Sequence, residues 1–160
     1  MTRLPTTRRV IAPSIVAQQS LPYNLAECAT PQAIYEFWKT IVETQPDHEP
    51  DKERVVTIML DAKLRPFAWN LVSIGHLSEA SAHPREILRP VIATAAFGFV
   101  MMHNHPSGDP TPSRADDLVT RRLVECAEML QVRLLDHVII GRPAPGRTAY
   151  YSFREAGTVA

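Results

Sequence analysis

Cysteine is scarce in this chain, which excludes a disulfide-stabilised scaffold. The 160 residues include only Cys28 and Cys126, whose separation matches neither a metal-binding nor a redox motif. Two cysteines do not make a disulfide framework, on which small secreted domains usually depend. We therefore expect a protein of the reducing cytoplasm.

Charge of one sign and long apolar runs are also lacking. Lys plus Arg and Asp plus Glu each number 17, so the formal net charge is zero. Proteins that hold nucleic acid through their overall field carry an excess of basic residues, so any DNA contact here would have to be local. No apolar run approaches the length of a membrane span, and we expect no membrane partner.

The N-terminal residues lack a clear structural signal. Residues 1–17 begin with basic side chains and include a short apolar stretch, as a secretory signal does, but Pro13 interrupts that stretch and polar residues follow at once. We predict a flexible arm over residues 1–29 and a single domain over residues 30–160. A hydrophobic content of 45% is sufficient for one modest core.

Apolar periodicity outlines the elements of that domain. It predicts helices over residues 30–44 and 84–96 and a third helix that begins at Ser113. The expected inward stripe of the third helix consists of Val119, Leu123, Cys126, Ala127 and Leu130. Strand patterns occupy residues 54–60, 66–73, 97–105, 134–140 and 149–153. This order predicts an α/β fold in which helices flank a mixed β-sheet.

Two histidines, His103 and His105, end the third of these strands. Residues two apart on a strand share a face, so both imidazoles point the same way and Asn104 points the opposite way. A Pro- and Gly-rich loop follows, and Ser113 then begins a helix with Asp116 three residues later. That spacing turns Asp116 back toward the histidines, so that three ligand atoms can converge.

Two imidazoles and one carboxylate are typical of a catalytic zinc site, because a structural zinc normally has four protein ligands. The open position holds water, whose pKa bound zinc lowers to about 7. Simpler interpretations exist for the single residues. Ser113 and Asp116 alone form a helix cap, and each histidine alone fits a strand. A cap does not explain the two histidines.

A hydrolytic zinc site also needs a general base that contacts the water. The best candidate is Glu53, at the point where a charged run gives way to the predicted strand 54–60. The neighbouring Glu49, Asp51 and Lys52 also suit an ordinary solvated charge run. Sequence spacing alone does not show whether Glu53 reaches the metal.

Together these motifs resemble the RadC-like group of the JAMM (JAB/MPN) metalloproteins. The resemblance depends on residues 103–108 and 112–116 and on the flanking residues 83–86 and 135–141. It covers roughly residues 30–157. It implies a single-domain JAB/MPN-like, cytidine-deaminase-like fold and one zinc ion per chain.

By the same resemblance, the zinc ligands are His103, His105 and Asp116. Glu53 is the general base, and Ser113 donates a hydrogen bond to the oxyanion of the tetrahedral intermediate. The implied activity is hydrolysis of a peptide or isopeptide bond by a zinc-activated water. The implied partner is therefore a peptide or protein substrate.

Asp136 and His137 interrupt the apolar pattern of the predicted strand 134–140. Either residue suits a role in supporting the zinc ligands through a hydrogen bond. A local pair that satisfies its own hydrogen bonds is an equally simple interpretation.

Two other functions stay open. A DNA-repair or DNA-processing factor, as the RadC name suggests, needs a local basic groove beside the zinc, for which the candidates are Arg85, Arg89, Arg114 and Arg121. Longer RadC-like proteins carry a helix-hairpin-helix region whose hairpins need glycine, and no glycine precedes Gly75, so we expect no such region here. The second alternative is a partner-binding scaffold without catalysis, which has no need of three metal ligands together.

Overall fold

The computed structural model describes residues 27–75 and 82–160. The predicted arm over residues 1–29 lies almost entirely outside this part of the chain. The described helices are α1 (Pro31–Phe37), which continues into a π-helical turn (Trp38–Val42), α2 (Pro84–Ala93) and α3 (Arg114–Met129). The described strands are β1 (Arg54–Leu60), β2 (Pro66–Ile74), β3 (Gly98–Asn104), β4 (Arg133–Ile140) and β5 (Tyr150–Ser152).

The strands form a five-stranded sheet in the order β2, β1, β3, β4, β5. β1 pairs antiparallel with both β2 and β3, and β4 pairs antiparallel with β5. β3 pairs parallel with β4, and α3 provides the crossover that this parallel step requires. The mixed sheet with flanking helices confirms the predicted α/β fold.

Apolar layers cover both faces of the sheet, because strands send alternate side chains to opposite sides. α2 and α3 pack on the face that includes Val55 and Met101. α1 and its π-helical turn pack on the face that includes Val56 and Met102. β1 and β3 are buried along their whole length. The end of β3 is therefore supported from both neighbouring strands and from both faces.

The predicted elements agree with the structure to within a few residues, apart from three differences. The first helix adopts π geometry from Trp38 onward. α2 ends at Ala93 rather than at residue 96, because the backbone turns into the left-handed region at Ala95, with φ of 50°. Leu130 was expected to point inward but is 48% exposed, because it lies beyond the last turn of α3 as its C-cap.

Among the described residues, no helix combines the length and the apolar character that crossing a membrane requires.

Candidate metal centre

The carboxyl end of β3 carries the two histidines of the predicted site. His103 is fully buried and lies opposite Val55 of β1 and Ile139 of β4. His105 is half-buried and lies one residue beyond the strand, where its backbone N–H donates to the Ile140 carbonyl at 2.9 Å. This bond extends the pairing of β3 with β4, so the sheet helps to fix the backbone position of His105.

Ser113 and Asp116 form a capping box at the start of α3. The Asp116 N–H donates to Ser113 Oγ at 3.3 Å, and the Ser113 N–H donates to Asp116 Oδ2 at 2.6 Å. The box holds the Asp116 carboxylate beside β3, where Oδ1 lies 3.1 Å from His103 Nε2 and Oδ2 lies 3.5 Å from His105 Nε2. Helix capping and metal binding are therefore compatible at this residue.

The three side chains converge on one point. The Nε2 atoms of His103 and His105 are 3.1 Å apart, and the potential ligand atoms of these histidines and Asp116 all lie within 4.8 Å of one another. Two imidazole nitrogens bound at about 2.0–2.1 Å to a tetrahedral zinc ion are roughly 3.3 Å apart. The cluster therefore has the spacing and the N, N, O donor set of a three-ligand metal site.

The second ring nitrogen of His105 is held by a hydrogen bond that points away from this cluster. His105 Nδ1 lies 2.7 Å from the Asp109 carbonyl oxygen, which can only accept, so Nδ1 carries the proton. In the neutral ring, Nε2 then keeps its lone pair and faces the cluster. A metal-binding histidine needs this arrangement.

His103 is held by a longer chain of hydrogen bonds that runs through His137. His103 Nδ1 lies 2.9 Å from His137 Nε2, and His137 Nδ1 lies 2.6 Å from Thr120 Oγ1. The Thr120 hydroxyl donates its one proton to the Asp116 carbonyl at 2.6 Å, so it accepts from His137. A neutral His137 then accepts from His103 Nδ1, which leaves the lone pair of His103 Nε2 directed at the cluster.

Burial and hydrogen bonding set the pKa values of these groups. Burial holds the pKa of His137 well below its ordinary value, so this ring is neutral. Burial raises the pKa of Asp116, but its contacts with the His103 and His105 rings and the hydrogen bond from Ser113 outweigh burial and leave that pKa well below its usual range. Burial lowers the pKa of His105, and the contact with Asp116 reverses this effect, so the net pKa is raised. Asp116 is therefore ionised, as a metal-binding carboxylate has to be.

Glu53 approaches the cluster from the start of β1. The pairing of β1 with β3 brings Glu53 Oε1 to 4.0 Å from His103 Nε2. Its side chain is only 10% exposed, and within residues 27–75 and 82–160 the buried Oε1 has no hydrogen-bond partner. A buried carboxylate oxygen without a partner is costly unless a water or a ligand satisfies it. Glu53 thus lies beside the candidate metal cluster without being part of it, and its role as the base stays a prediction.

The sheet separates Asp136 from His137. Neighbouring residues of a strand point to opposite faces, so His137 faces His103 and Asp136 faces away. Asp136 Oδ2 accepts from the Ser152 hydroxyl at 2.7 Å, and its Oδ1 accepts from the Arg154 N–H at 3.0 Å. The suggestion that Asp136 supports a ligand is therefore corrected, whereas His137 contacts a candidate ligand directly.

Two residues at the site were not found from the sequence. Thr120 lies one turn after Asp116 on the buried face of α3. A hydroxyl on that otherwise apolar face is the sequence feature that could have identified it as a site residue. Asn104 is 7% exposed, and its side chain binds the backbone on both sides of Glu53. Only its position between two histidines distinguished it in the sequence.

A cavity of about 350 Å³ adjoins His105, between α1 and the loop that follows β4. Trp38 and Lys39 of the π-helical turn line one side of it, and Arg142 of the loop lines the other. Asn104 also lines this cavity, which therefore opens on the α1 face of the sheet, and of the three candidate ligands only His105 borders it.

The arginines suggested for a DNA-binding groove are all exposed. Two of them are paired with an acidic neighbour, since Arg89 Nη2 lies 2.8 Å and Arg85 Nε lies 3.5 Å from the Glu86 carboxylate. Arg114 and Arg121 lie on α3. This pairing reduces the local positive charge, and the groove stays a prediction.

A mixed sheet of this order, with two histidines and an aspartate gathered at the end of its central strand, defines a JAB/MPN-like α/β domain. The family model described as "RadC-like JAB domain" matches residues 28–158, and the chain belongs to that family. The predicted resemblance is thereby confirmed.

Several curated relatives share this domain. The chain is 44% identical over 107 residues to a UPF0758 protein of Thermotoga maritima, a match that covers 67% of this chain and 46% of the relative. It is 45% identical over 106 residues to a UPF0758 protein of Trichlorobacter lovleyi, with 66% and 44% covered. A UPF0758 protein of Methanosarcina mazei is 42% identical over 111 residues, with 69% and 46% covered. The match thus spans less than half the length of each of these relatives.

Proposed function

We propose that this chain is a zinc-dependent hydrolase of the JAMM type, which cleaves a peptide or isopeptide bond. The main support is the convergence of two lone-pair nitrogens and one carboxylate, from His103, His105 and Asp116, next to the unpartnered Glu53 Oε1. Each histidine has its other nitrogen occupied, so the geometry favours ligands that are ready to bind rather than surface histidines that lie close by chance.

A zinc ion held by this cluster would supply a water of lowered pKa and a Lewis acid for the substrate carbonyl. Glu53 would accept a proton from the attacking water and return it to the leaving amine. Because no described residue satisfies Glu53 Oε1, that oxygen is available for this exchange. Its burial also keeps bulk water from competing for the carboxylate.

Ser113 is the candidate donor to the developing oxyanion. Its Oγ accepts the Asp116 N–H, which leaves the hydroxyl proton free to be donated. Ser113 is exposed at the end of the loop, so a substrate can reach it.

The proposal is tested first by the metal content of the purified protein. We expect about one zinc per chain in the wild type and none in the double variant His103→Ala/His105→Ala, measured by elemental analysis after zinc-replete preparation. No zinc in the wild type would contradict the proposal and leave the partner-binding scaffold as the better account.

A screen of peptide and isopeptide substrates then tests the chemistry. Glu53→Gln removes the base but preserves the shape of the side chain, so we expect normal zinc content and at least a 10²-fold loss of turnover. Unchanged turnover would exclude Glu53 as the base. Zinc-dependent cleavage of DNA, with no hydrolysis of any peptide, would favour the DNA-processing alternative.

A further inference from the structure

Asn104, the residue between the two histidines, binds the backbone that carries Glu53. Its side chain is buried on the face of the sheet opposite the metal cluster. The Arg54 N–H donates to Asn104 Oδ1 at 2.8 Å, and Asn104 Nδ2 donates to the Lys52 carbonyl at 3.1 Å. The side-chain amide of Asn104 thus binds the backbone of the residue before Glu53 and that of the residue after it.

These bonds lie where the regular pairing of the sheet ends. Val55 and His103 are the last paired residues of β1 and β3 at this end. Beyond them, the Asn104 side chain replaces the backbone partners that a longer β3 would provide. On the other side, the Gly75 N–H donates to the Glu53 carbonyl at 2.8 Å. The backbone around Glu53 is therefore fixed by three hydrogen bonds that involve neither the metal cluster nor a substrate.

Within the described residues, the Oε1 atom of Glu53 has no comparable support. It has no hydrogen-bond partner in the described part of the chain, yet it lies 4.0 Å from His103 Nε2. The location of this oxygen consequently depends on where the backbone places the side chain. A displacement of residues 52–54 would move the carboxylate away from the cluster.

The chemistry of the two contacts specifies asparagine. The Arg54 N–H can only donate and the Lys52 carbonyl can only accept, so the side chain has to offer one acceptor and one donor side by side. Aspartate offers only acceptors at neutral pH, and alanine offers neither. This complementarity also fixes which end of the amide is oxygen and which is nitrogen.

We propose that Asn104 is a positioning residue for Glu53, which holds the carboxylate at the metal cluster from the opposite face of the sheet. The inference rests on the proposed function, because it concerns the base of that reaction. It assigns a task to the central residue of the His-Asn-His triplet, whereas its neighbours bind the metal.

The test is an NMR titration of the full chain with Zn²⁺ alone, so that no substrate is needed. The carboxyl ¹³C resonance of Glu53 reports the position of the base, and the ring ¹⁵N resonances of His103 and His105 report metal binding. In the wild type we expect zinc to shift all three. In Asn104→Ala we expect the histidine shifts to be retained and the Glu53 shift to fall to less than half.

Two further variants make the result decisive. Asn104→Asp keeps the side-chain volume and the acceptor for the Arg54 N–H but loses the donor to the Lys52 carbonyl. We expect a reduced Glu53 shift in this variant also, and it provides the test if Asn104→Ala does not fold. Ser152→Ala removes another buried hydrogen-bonding side chain, remote from Glu53, and we expect it to leave the Glu53 response at the wild-type value.

The outcomes separate this inference from the proposed function. Wild-type histidines that do not respond to zinc would overturn the proposed function and this inference with it. A normal Glu53 response in both Asn104 variants would overturn the inference alone. Loss of the histidine and Glu53 responses together would show that Asn104 supports the ligands as a whole, which also overturns it.

Discussion

Thr120 illustrates how a single hydroxyl fixes the proton on a ring that it does not touch. Its proton goes to the Asp116 carbonyl, so His137 has to donate from Nδ1 and accept at Nε2. His103 then donates from Nδ1 to His137. Without the Thr120 hydroxyl, the Nδ1 proton of His137 loses its acceptor. The position of the proton on His137 is then no longer fixed, and neither is the His103 tautomer that leaves Nε2 unprotonated.

Thr120→Val tests this chain of hydrogen bonds without a change of shape. We expect zinc affinity to fall about 10-fold, as is typical when a group that supports a metal ligand is removed. The free energy of unfolding should also fall by about 1–3 kcal/mol, because a buried N–H loses its partner. Competition titration with a zinc chelator and urea unfolding measure the two effects.

Thr57→Val is the matched control for that experiment. Thr57 is also fully buried, but its hydroxyl has no hydrogen-bond partner in the described residues. We expect unchanged zinc affinity and equal or higher stability, since an unsatisfied buried hydroxyl is replaced by a methyl group. An equal loss of zinc affinity in both valine variants would contradict the role of Thr120.

The residues of the site differ in how far local rules could predict them. His103, His105 and Asp116 lie on one strand, loop and helix, so the alternation of a strand and the geometry of a capping box were enough to bring them together. Glu53 and His137 reach the cluster only because β1 and β4 flank β3 in a particular register. That register depends on the packing of the whole sheet, which no short segment of sequence specifies.

At the start of α3, the capping box combines two functions in Ser113. The hydroxyl oxygen caps the helix and thereby orients Asp116, while the hydroxyl proton is the candidate donor to the oxyanion. A simple deletion of the side chain removes both, so it cannot separate them.

Ser113→Ala and Ser113→Asp together separate the cap from the donor. Alanine removes both, so we expect a loss of about 1 kcal/mol of stability and a loss of turnover. Aspartate is a good N-cap but has no proton to donate, so we expect near wild-type stability with the same loss of turnover. Urea unfolding and the rate of substrate hydrolysis measure these effects, and full turnover in Ser113→Asp would contradict the donor role.

The elements also show where sequence periodicity is insufficient. Alternation along a strand implies that the adjacent Asp136 and His137 face opposite sides, but it does not indicate which side faces the ligands. The interpretation that either residue could support a ligand came from this gap. Leu130 is a second example, in a helix. The apolar periodicity of α3 continues in the sequence to Leu130, but the helix ends one residue earlier, so Leu130 is exposed.

For the molecule as a whole, the proposed metal centre leads us to expect that zinc stabilises the fold, because a ligand that binds preferentially to the folded state shifts the folding equilibrium toward it. A free zinc concentration 100-fold above the Kd should add at most about 2.7 kcal/mol to the free energy of unfolding, the value that applies when the unfolded chain binds no zinc. We expect the melting temperature of the wild type to rise with zinc and to fall back with a chelator. His105→Ala should melt near the metal-free wild type in both conditions, and an undiminished response to zinc would remove His105 from the ligands.

A second property of the whole molecule is the pH dependence that arises from Asp136. Burial raises the pKa of this carboxyl above its ordinary value, against the hydrogen bonds from Ser152 and Arg154. The folded state therefore binds the proton more tightly than the unfolded state. The resulting stabilisation is complete below the unfolded pKa of about 3.9 and is lost as the pH rises through the raised folded value.

Asp136→Asn removes this titration and keeps the size of the side chain. We expect the stability of the variant relative to the wild type to increase from pH 4 to pH 7, measured by urea unfolding of the metal-free proteins in chelator. A difference that stays constant over this range would contradict the raised pKa.

The three candidate ligands lie within residues 103–116, whereas Glu53 joins them only when β1 has paired with β3. If these side chains bind zinc as proposed, the unfolded chain would retain a short segment able to chelate the metal before any sheet exists, since closing a loop of this length costs little chain entropy. Metal captured at that stage restricts the segment to the strand, loop and helix arrangement that it needs later. Because the unfolded chain also binds, part of the stabilisation of the folded state is lost. Zinc would thus help to order residues 103–116 during folding before it takes part in catalysis.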